Sequence, residues 1–527
     1  MGAVHTMSRM TRVELLRSRL LGFRPTDTLW GWLGPLFFAV VGGVMRFWSL
    51  GRPHQLVFDE TYYVKQGVSM LEYGVELRVP DSIKKPDELF TRGTPDVFGT
   101  QGDLVVHPPV GKWLIAVGEH LFGATSSFGW RFSVCVLGTL SILMIGRAAR
   151  RMFGSSMLGT IAAFLVAFEG HHFVQSRTGL LDLIVMFWAL AAFCALLIDR
   201  DRSRALLAER AAGLSTRQLA TGLGPWLGAR PWRWVAGICL GLCAGTKWSG
   251  LFFLMAFGLM TVCWDLGARR AVVVRHWFTG AVVRDGLWAA LVMCSTAVVT
   301  YVASWTGWFV SSNGYDRDWG RIHPSRDTPW VPDAARSLWH YHQEIYTFHV
   351  NLHDNHPYRT NPWSWVVQGR PTSFFYEGPK QGHDGCVVAQ CSKAITSIGT
   401  VSIWWLGAAA IFVLAFHWLF KRDWRAGGIL AGLVGGYLPW FGLEERTIYS
   451  FYTVAFEPWI ILAVVFVLGL ALGRRTDSWR RREIGLYAVG AYCLLTLAIF
   501  AFFWPIYTAQ VIPQGQWSLR MWFPSWV

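Results

Sequence analysis

The chain has 527 residues, 53% of them hydrophobic and only 15% charged, whereas a soluble globular chain carries about 25% charged residues; a soluble enzyme is excluded. Its 48 Lys and Arg against 33 Asp and Glu leave a net charge of +15, a surplus that signals nucleic acid in a soluble protein and the cytoplasmic side in a membrane protein. Where the basic residues lie decides between the two.

A helix that crosses a bilayer needs about 20 mainly apolar residues, because hydrocarbon offers no partner to an open backbone amide. About eleven segments qualify, in chain order 30–50, 130–146, 156–168, 179–198, 232–245, 250–266, 286–305, 398–420, 427–442, 449–472 and 484–504. Those starting at Ser156, Trp232 and Gly427 are short for a full span. The expected fold class is an all-α integral-membrane bundle of about eleven transmembrane helices. It divides into an N-terminal tail (1–29), a first span (30–50), a long connection (51–129), spans two to seven (130–306), a second long connection (307–397), spans eight to eleven (398–504) and a C-terminal tail (505–527).

With the N-terminus placed inside, the inner segments hold 27 Lys and Arg, among them Arg9, Arg147, Arg230, Arg269, Arg422 and Arg475, against 10 Asp and Glu. The rest of the chain holds 21 against 23. All the excess positive charge falls in short loops on one face, the pattern that orients a polytopic membrane protein. Nucleic acid is thereby dropped as a partner, and the lipid bilayer takes its place. The connections of 79 and 91 residues and the C-terminal tail then face outward. No Gly-rich phosphate loop of the GxxxxGK[ST] type occurs in the inner loops, which argues against an ATP-driven pump or kinase.

Seven of nine cysteines sit inside apolar spans, where a small buried hydrophobe is the plain reading. Cys386 and Cys391 share the second long connection, and an oxidising compartment there permits either a disulfide or two free thiols. With only His383 nearby, the pair offers too few ligands for zinc.

Candidate chemistry starts just past the first span, at Asp59-Glu60 within VFDETYY. Adjacent carboxylates flanked by aromatics at interface depth suit a general base, while acids at a helix start also suit a plain cap. At 106–113, VHPPVGKW brings His107 and Lys112 to a helix entry that can hold an anion or simply turn. The third and fourth spans are joined by EGHHFVQSR, followed by LLD. Glu169, His171, Arg177 and Asp182 are expensive at membrane depth and default to a functional reading, with snorkelling as the alternative. Lys247 ends the fifth span and Arg131 begins the second. Arg131, Arg177, Lys247 and Lys112 would thus share one membrane level with Asp59 and Glu60, as an anion-binding ring beside a base. Such a ring suits transfer from a lipid-linked phosphate. The second long connection is rich in Trp, Tyr and His, which fits a sugar- or peptide-contacting surface or an interfacial aromatic belt; Asp316 and His356 are secondary candidates there.

The stretches FDETYYVKQ, HPPVGKW, EGHHFVQSRTGLLDL, AGTKWSG, TGWFVSSNGYDR, HPYRTNPWSW and RMWFPSW together resemble the bacterial protein O-mannosyltransferase family, in family order from about residue 58 to the C-terminus. The resemblance implies an integral-membrane glycosyltransferase of the GT-C type. Such an enzyme takes mannose from polyprenyl-phosphate mannose and attaches it, with inversion, to Ser or Thr of secreted or membrane proteins at the outer face of the cell membrane. Carried over by position, Asp59 is the base and Glu60 its support. Arg131 contacts the lipid phosphate with help from Lys112, Arg177 or Lys247, and His107 shapes the donor pocket. The remaining group, Glu169, His171 and Asp182, is supporting. Eukaryotic members carry a trefoil-like MIR domain in the large outer loop, which 91 residues without a repeat cannot contain. Acceptors would then be selected by the loop itself or by access from the export machinery. No cofactor is expected, and no metal, since cations can stabilise the leaving phosphate and no DxD triplet occurs in either long outer segment. A GT-C enzyme acting on a lipid or cell-wall glycan is the rival within this class. A transporter or flippase is the rival outside it, and would need charges strung through the bilayer and repeated halves.

Overall fold

The computed structural model describes residues 11–474 and 476–527; Arg9 and Arg475 lie outside the described residues. Each of the eleven apolar segments contains a helix. Seven of these helices are long and apolar enough to cross a membrane: Trp30–Phe47, Ser127–Phe153, Asp182–Ala212, Gly250–Ala271, Trp277–Ser304, Val401–Lys421 and Trp479–Tyr507. The other four, Ser156–Ala167, Pro231–Ala244, Trp424–Gly436 and Glu457–Leu472, are shorter. Thirteen residues of helix, as in Trp424–Gly436, span only about 20 Å, less than the hydrocarbon core.

Two segments stop short for a visible reason. Pro439 opens a 3-10 turn over Leu438–Gly442, and Pro458 fixes the start of helix Glu457–Leu472, since a missing amide is harmless in a first helical turn. The stretch Ser450–Ala455, read from its apolar character as the head of the tenth span, is therefore a separate 3-10 turn.

Close packing of the bundle relies on small residues, because lipid supplies no hydrophobic drive between helices. A Cβ at Gly118 would overlap the carbonyl oxygen of Gly129, so helix Val110–Phe122 lies directly on the backbone of Ser127–Phe153. At the opposite end several of the arginines assigned to the inner loops are buried in ion pairs. Arg230 binds Asp199 (Nε to Oδ1 3.1 Å) and Asp265 (2.7 Å), Arg269 binds Asp285 (2.6 Å), and Arg233 also reaches Asp265. These pairs tie helices Asp182–Ala212, Pro231–Ala244, Gly250–Ala271 and Trp277–Ser304 together.

The two long connections pack against each other at one end of the bundle. Val75, Leu77 and Val105 of the first share a core with Trp308, Leu338, Tyr341 and Ile345 of the second, and the Tyr341 hydroxyl accepts the Val105 amide at 3.1 Å. The second connection carries an 18-residue helix, Asp333–Val350. It also carries what the all-α expectation lacked, a small antiparallel sheet in which strand Cys391–Ser397 lies between Thr372–Glu377 and Val511–Pro513. Thr372 faces Ser397 and Lys393 faces Val511. The C-terminal tail is thus stitched to the second connection. Cys386, in the loop between the first two strands, and Cys391, where the second begins, form a disulfide with Cα atoms 5.8 Å apart.

Candidate active site

Asp59 precedes helix Glu60–Tyr73 at its N-cap position but makes no capping hydrogen bond. Backbone carbonyls of Val57, Phe58 and Asp59 take the first-turn amides instead, and Glu60 Oε2 reaches back to accept the Val57 amide at 3.0 Å. The adjacent Phe58 has φ +51°, a left-handed conformation costly for a bulky side chain and kept only where surroundings enforce it. Here Phe374 stacks on the ring at 5.0 Å while Phe451 and Tyr449 meet it edge-on at 5.2 and 6.2 Å. Wedged between this aromatic wall and the Glu60 clamp, the half-buried Asp59 carboxyl has its direction fixed.

The surroundings of Asp59 set its charge. Burial pushes its pKa up to about 6, and the Asp182 carboxylate adds to the rise, against a lowering by the Lys247 ammonium and the Tyr63 hydroxyl hydrogen-bonded to it. Lys247 binds Asp182 at 2.7 Å and lies over the Tyr452 ring at 5.1 Å. The rings of His107 and His349 meet at a tilt of 30°, 5.4 Å apart, on the neighbouring side. His349 donates from Nε2 to the Val106 carbonyl at 2.9 Å and accepts from Arg446 at Nδ1 at 2.8 Å. Burial first, and then the Arg446 charge, hold His349 down at about 4; His107 is held well below the usual range by burial and by Lys247. Both rings are neutral near pH 7, so the charges that face them come from Lys247, Arg446 and the buried Lys112.

The other sequence candidates are brought to this end of the fold but turned to different tasks. Arg131 is 1% exposed and spends all five N–H donors within the chain. Nε and one Nη2 hydrogen go to Glu60 at 2.8 and 2.9 Å, and the rest go to the carbonyls of Leu50, Pro53 and Gln55 at 3.1 to 3.2 Å. No donor is left over for a phosphate oxygen. Glu60 completes its own set with the Gly179 amide at 2.7 Å. Arg177 donates to the carbonyls of Met45, Arg46, Trp48 and Ser49, where helix Trp30–Phe47 ends, a cation on the negative pole of a helix. Lys112 is buried against Glu76 and donates to the His107 carbonyl at 2.8 Å, so it shapes the HPP turn. The anion-binding ring read from sequence therefore comes apart: of its four cations, Lys247 is the one whose charge acts on Asp59.

Glu169 accepts the Thr400 amide and the Trp404 indole at 2.8 and 2.9 Å, at the start of helix Val401–Lys421. His171 bridges Ser397 and Thr453 at 2.8 and 3.2 Å. With Gln175, which donates to the Phe451 carbonyl at 3.1 Å, it holds the 3-10 turn that presents Phe451 and Tyr452. Asp182 is the partner of Lys247. His356 packs on Phe58 and Tyr449. Asp316 lies elsewhere, beside His340.

Sequence reasoning missed Tyr63, His349, Tyr449, Tyr452 and Arg446. The signal for Arg446 was present: it is the one basic residue between the ninth and tenth apolar runs. Its connection is zipped to the second long segment through Thr447 to Leu352 and Thr360 to Ile448, each 2.9 Å.

A cavity of about 770 Å³ opens beside this pocket, between the membrane helices and helix Asp333–Val350. It is lined mainly by apolar groups, among them Trp248, Leu251, Leu254, Val298, Trp339 and Tyr346. Trp248 follows Lys247 directly, so the cavity starts where the cationic pocket ends. Three of its polar groups are linked to one another: the Trp248 indole donates to Tyr301 at 3.0 Å, and Tyr301 donates to His342 at 2.6 Å.

Residues 36–303 match the family model described as dolichyl-phosphate-mannose-protein mannosyltransferase, and residues 334–526 match the C-terminal four-transmembrane region of protein O-mannosyltransferase. The chain is 38% identical over 513 residues to a polyprenol-phosphate-mannose–protein mannosyltransferase of Mycolicibacterium smegmatis (strain MKD8), covering 96% of this chain and 94% of the relative. It is 36% identical to the protein of the same name in Mycobacterium tuberculosis (strain H37Rv), covering 96% and 93%. Its fold superposes on the S. cerevisiae protein O-mannosyltransferase Pmt1-Pmt2 complex bound to the sugar donor with a TM-score of 0.70 at 14% identity, over 97% of this chain and 94% of that one. This is a multi-pass membrane fold of the GT-C type, and the chain belongs to the dolichyl-phosphate-mannose-protein mannosyltransferase family.

Proposed function

We propose that this chain transfers mannose from polyprenyl-phosphate mannose to Ser or Thr hydroxyls of secreted or membrane proteins, with Asp59 as general base. The observation that carries the reading is the Asp59 carboxyl itself: wedged by Phe58 and Glu60, half-buried, and charged at neutral pH with a pKa near 6. That value is favourable, since a base works best when its pKa lies near the operating pH. Asp59 takes the proton of the acceptor hydroxyl as its oxygen bonds to the anomeric carbon. The bond from that carbon to the phosphate oxygen breaks on the opposite face, and the phosphate leaves with the electron pair. Attack opposite to departure inverts the anomeric centre.

Lys247 and Arg446 are the residues we assign to the leaving phosphate, because the charge of Lys247 acts on Asp59 and Arg446 donates to the neutral His349 beside His107. Two fixed cations supply the stabilisation a metal would otherwise give, so transfer proceeds without one. The adjoining apolar cavity suits the first part of a prenyl chain entering from the bilayer. The charge asymmetry of the loops supports a cytoplasmic N-terminus, with the site and the C-terminus outside the cell membrane, where secretory polypeptides emerge from the export machinery.

The test is transfer of labelled mannose from a polyprenyl-phosphate donor to a Ser/Thr-rich peptide by membranes carrying the chain. Asp59→Asn should abolish transfer while the protein stays inserted, and near-normal transfer by that variant would refute the base. In the same assay, EDTA should leave most of the transfer intact; strict loss would refute metal-independent chemistry.

A further inference from the structure

Away from the pocket, on the opposite face of helix Asp333–Val350, three metal-ligating side chains converge. His340 and Glu344 stand one turn apart on the helix, and the connection before it supplies Asp316. At about 100° per residue, His340 and Glu344 share one face, while His342, Tyr346 and His349, which meet the cavity and Arg446, lie across the helix axis. The His340 Nε2 atom is 3.4 Å from Asp316 Oδ2 and 3.7 Å from Glu344 Oε1, and all three ligand atoms lie within 4.8 Å of one another.

Hydrogen bonding alone does not account for this arrangement. One imidazole nitrogen carries at most one proton and can donate to only one carboxylate at a time. Both separations also exceed the usual range for a hydrogen bond. A divalent cation meets all three groups at once. Zinc–ligand bonds of about 2.0 to 2.2 Å in a tetrahedron put ligand atoms about 3.3 to 3.6 Å apart, close to the two spacings here. The imidazole is already oriented: Trp319 stacks on it at 4.2 Å with the planes 10° apart. Tyr315 lies beside Glu344, where its phenol can hold the carboxylate as outer-sphere partners do.

We propose that Asp316, His340 and Glu344 form a binding site for a divalent first-row metal, zinc in particular, with water as the fourth ligand. The metal would clip the 314–318 turn to helix Asp333–Val350 and so stiffen the wall of the cavity, taking no part in the transfer step. One nitrogen and two oxygens suit zinc better than calcium, which asks for six to eight oxygen ligands.

The experiment is direct and independent of mannose transfer. Purified full-length chain is stripped with chelator, incubated with zinc chloride, desalted and assayed for bound metal; a calcium chloride arm runs in parallel. The expected result is one zinc per chain, no calcium, and slowed hydrogen exchange over residues 314–318. Losing a direct ligand should weaken zinc by at least the about 10- to 100-fold that loss of an outer-sphere partner costs, so His340→Ala and Asp316→Asn should both come out empty. Asp316 sits on a half-open turn, so its variant tests the site even if His340→Ala fails to fold. His383→Ala, outside the cluster, should still bind one zinc. Absence of zinc from the parent chain, or equal zinc in parent and Asp316→Asn, would overturn the site.

Discussion

The sharpest disagreement between residue type and residue environment is at Arg131, and Glu60→Gln separates a phosphate ligand from a buried clamp. The substitution leaves the guanidinium with its three carbonyl partners but removes the charge that neutralises it, in a place where both side chains are 1% exposed or less. Breaking one side of a buried ion pair costs about 3 to 5 kcal/mol, because a charge stays behind without its partner. At about 1.4 kcal/mol per decade this is a 100- to 4,000-fold loss in the folding equilibrium. Arg131→Met should cost at least as much, since it orphans Glu60 and three backbone carbonyls. The double variant Glu60→Gln/Arg131→Met leaves no buried charge, so it should be no worse than Arg131→Met alone, a coupling of about 3 kcal/mol or more. The assay is thermal inactivation and unfolding of the four proteins in one detergent. Additive losses in the double variant would refute the clamp. So would an Arg131→Met protein of parental stability whose only defect is a raised KM for the lipid donor.

Three further outcomes follow from the same geometry. Because a base must be unprotonated, transfer should decline as pH falls through about 6, the value set at Asp59 by burial and its charged neighbours, and a flat profile from pH 5 to 8 would count against it. Tyr63→Phe removes a hydrogen bond that lowers the Asp59 pKa, so the midpoint of that profile should move upward; a downward move would contradict the environment described. Arg446→Met removes one charge-assisted contact to the leaving phosphate, about 1.5 to 3 kcal/mol, and should lower kcat/KM for the donor about 10- to 150-fold with the protein still stable, whereas an unchanged constant would strike Arg446 from the site.

Helix positions were legible because a run of about 20 apolar residues has one stable answer in a bilayer. The misreadings have physical causes. Residues 449–456 read as part of a span because Tyr and Phe are apolar by composition, yet Pro458 excludes them from the helix and leaves them as the aromatic wall around Asp59. The four predicted phosphate cations looked alike in sequence, since sequence shows a charge and not what neutralises it. Arg131 and Arg177 are consumed by backbone carbonyls at the ends of other elements, and no composition argument can see those. Arg446 escaped notice for the converse reason: its value depends on a short connection zipped to a segment about 95 residues earlier. The Asp-Glu pair shows in sequence, but not that the Asp59 carboxyl makes no capping hydrogen bond while backbone carbonyls take the first-turn amides.

The seam between the tail and the second connection has a consequence for how the protein is made. Strand Val511–Pro513 is translated more than 110 residues after its partner Cys391–Ser397, and only once the last long helix has emerged. Until then the sheet has an open edge, and the segment after the last long helix is not yet joined to the second connection. The sheet is therefore completed only after the membrane helices that precede Val511 have been synthesised, so its closure depends on a long-range pairing and not on the local hairpin.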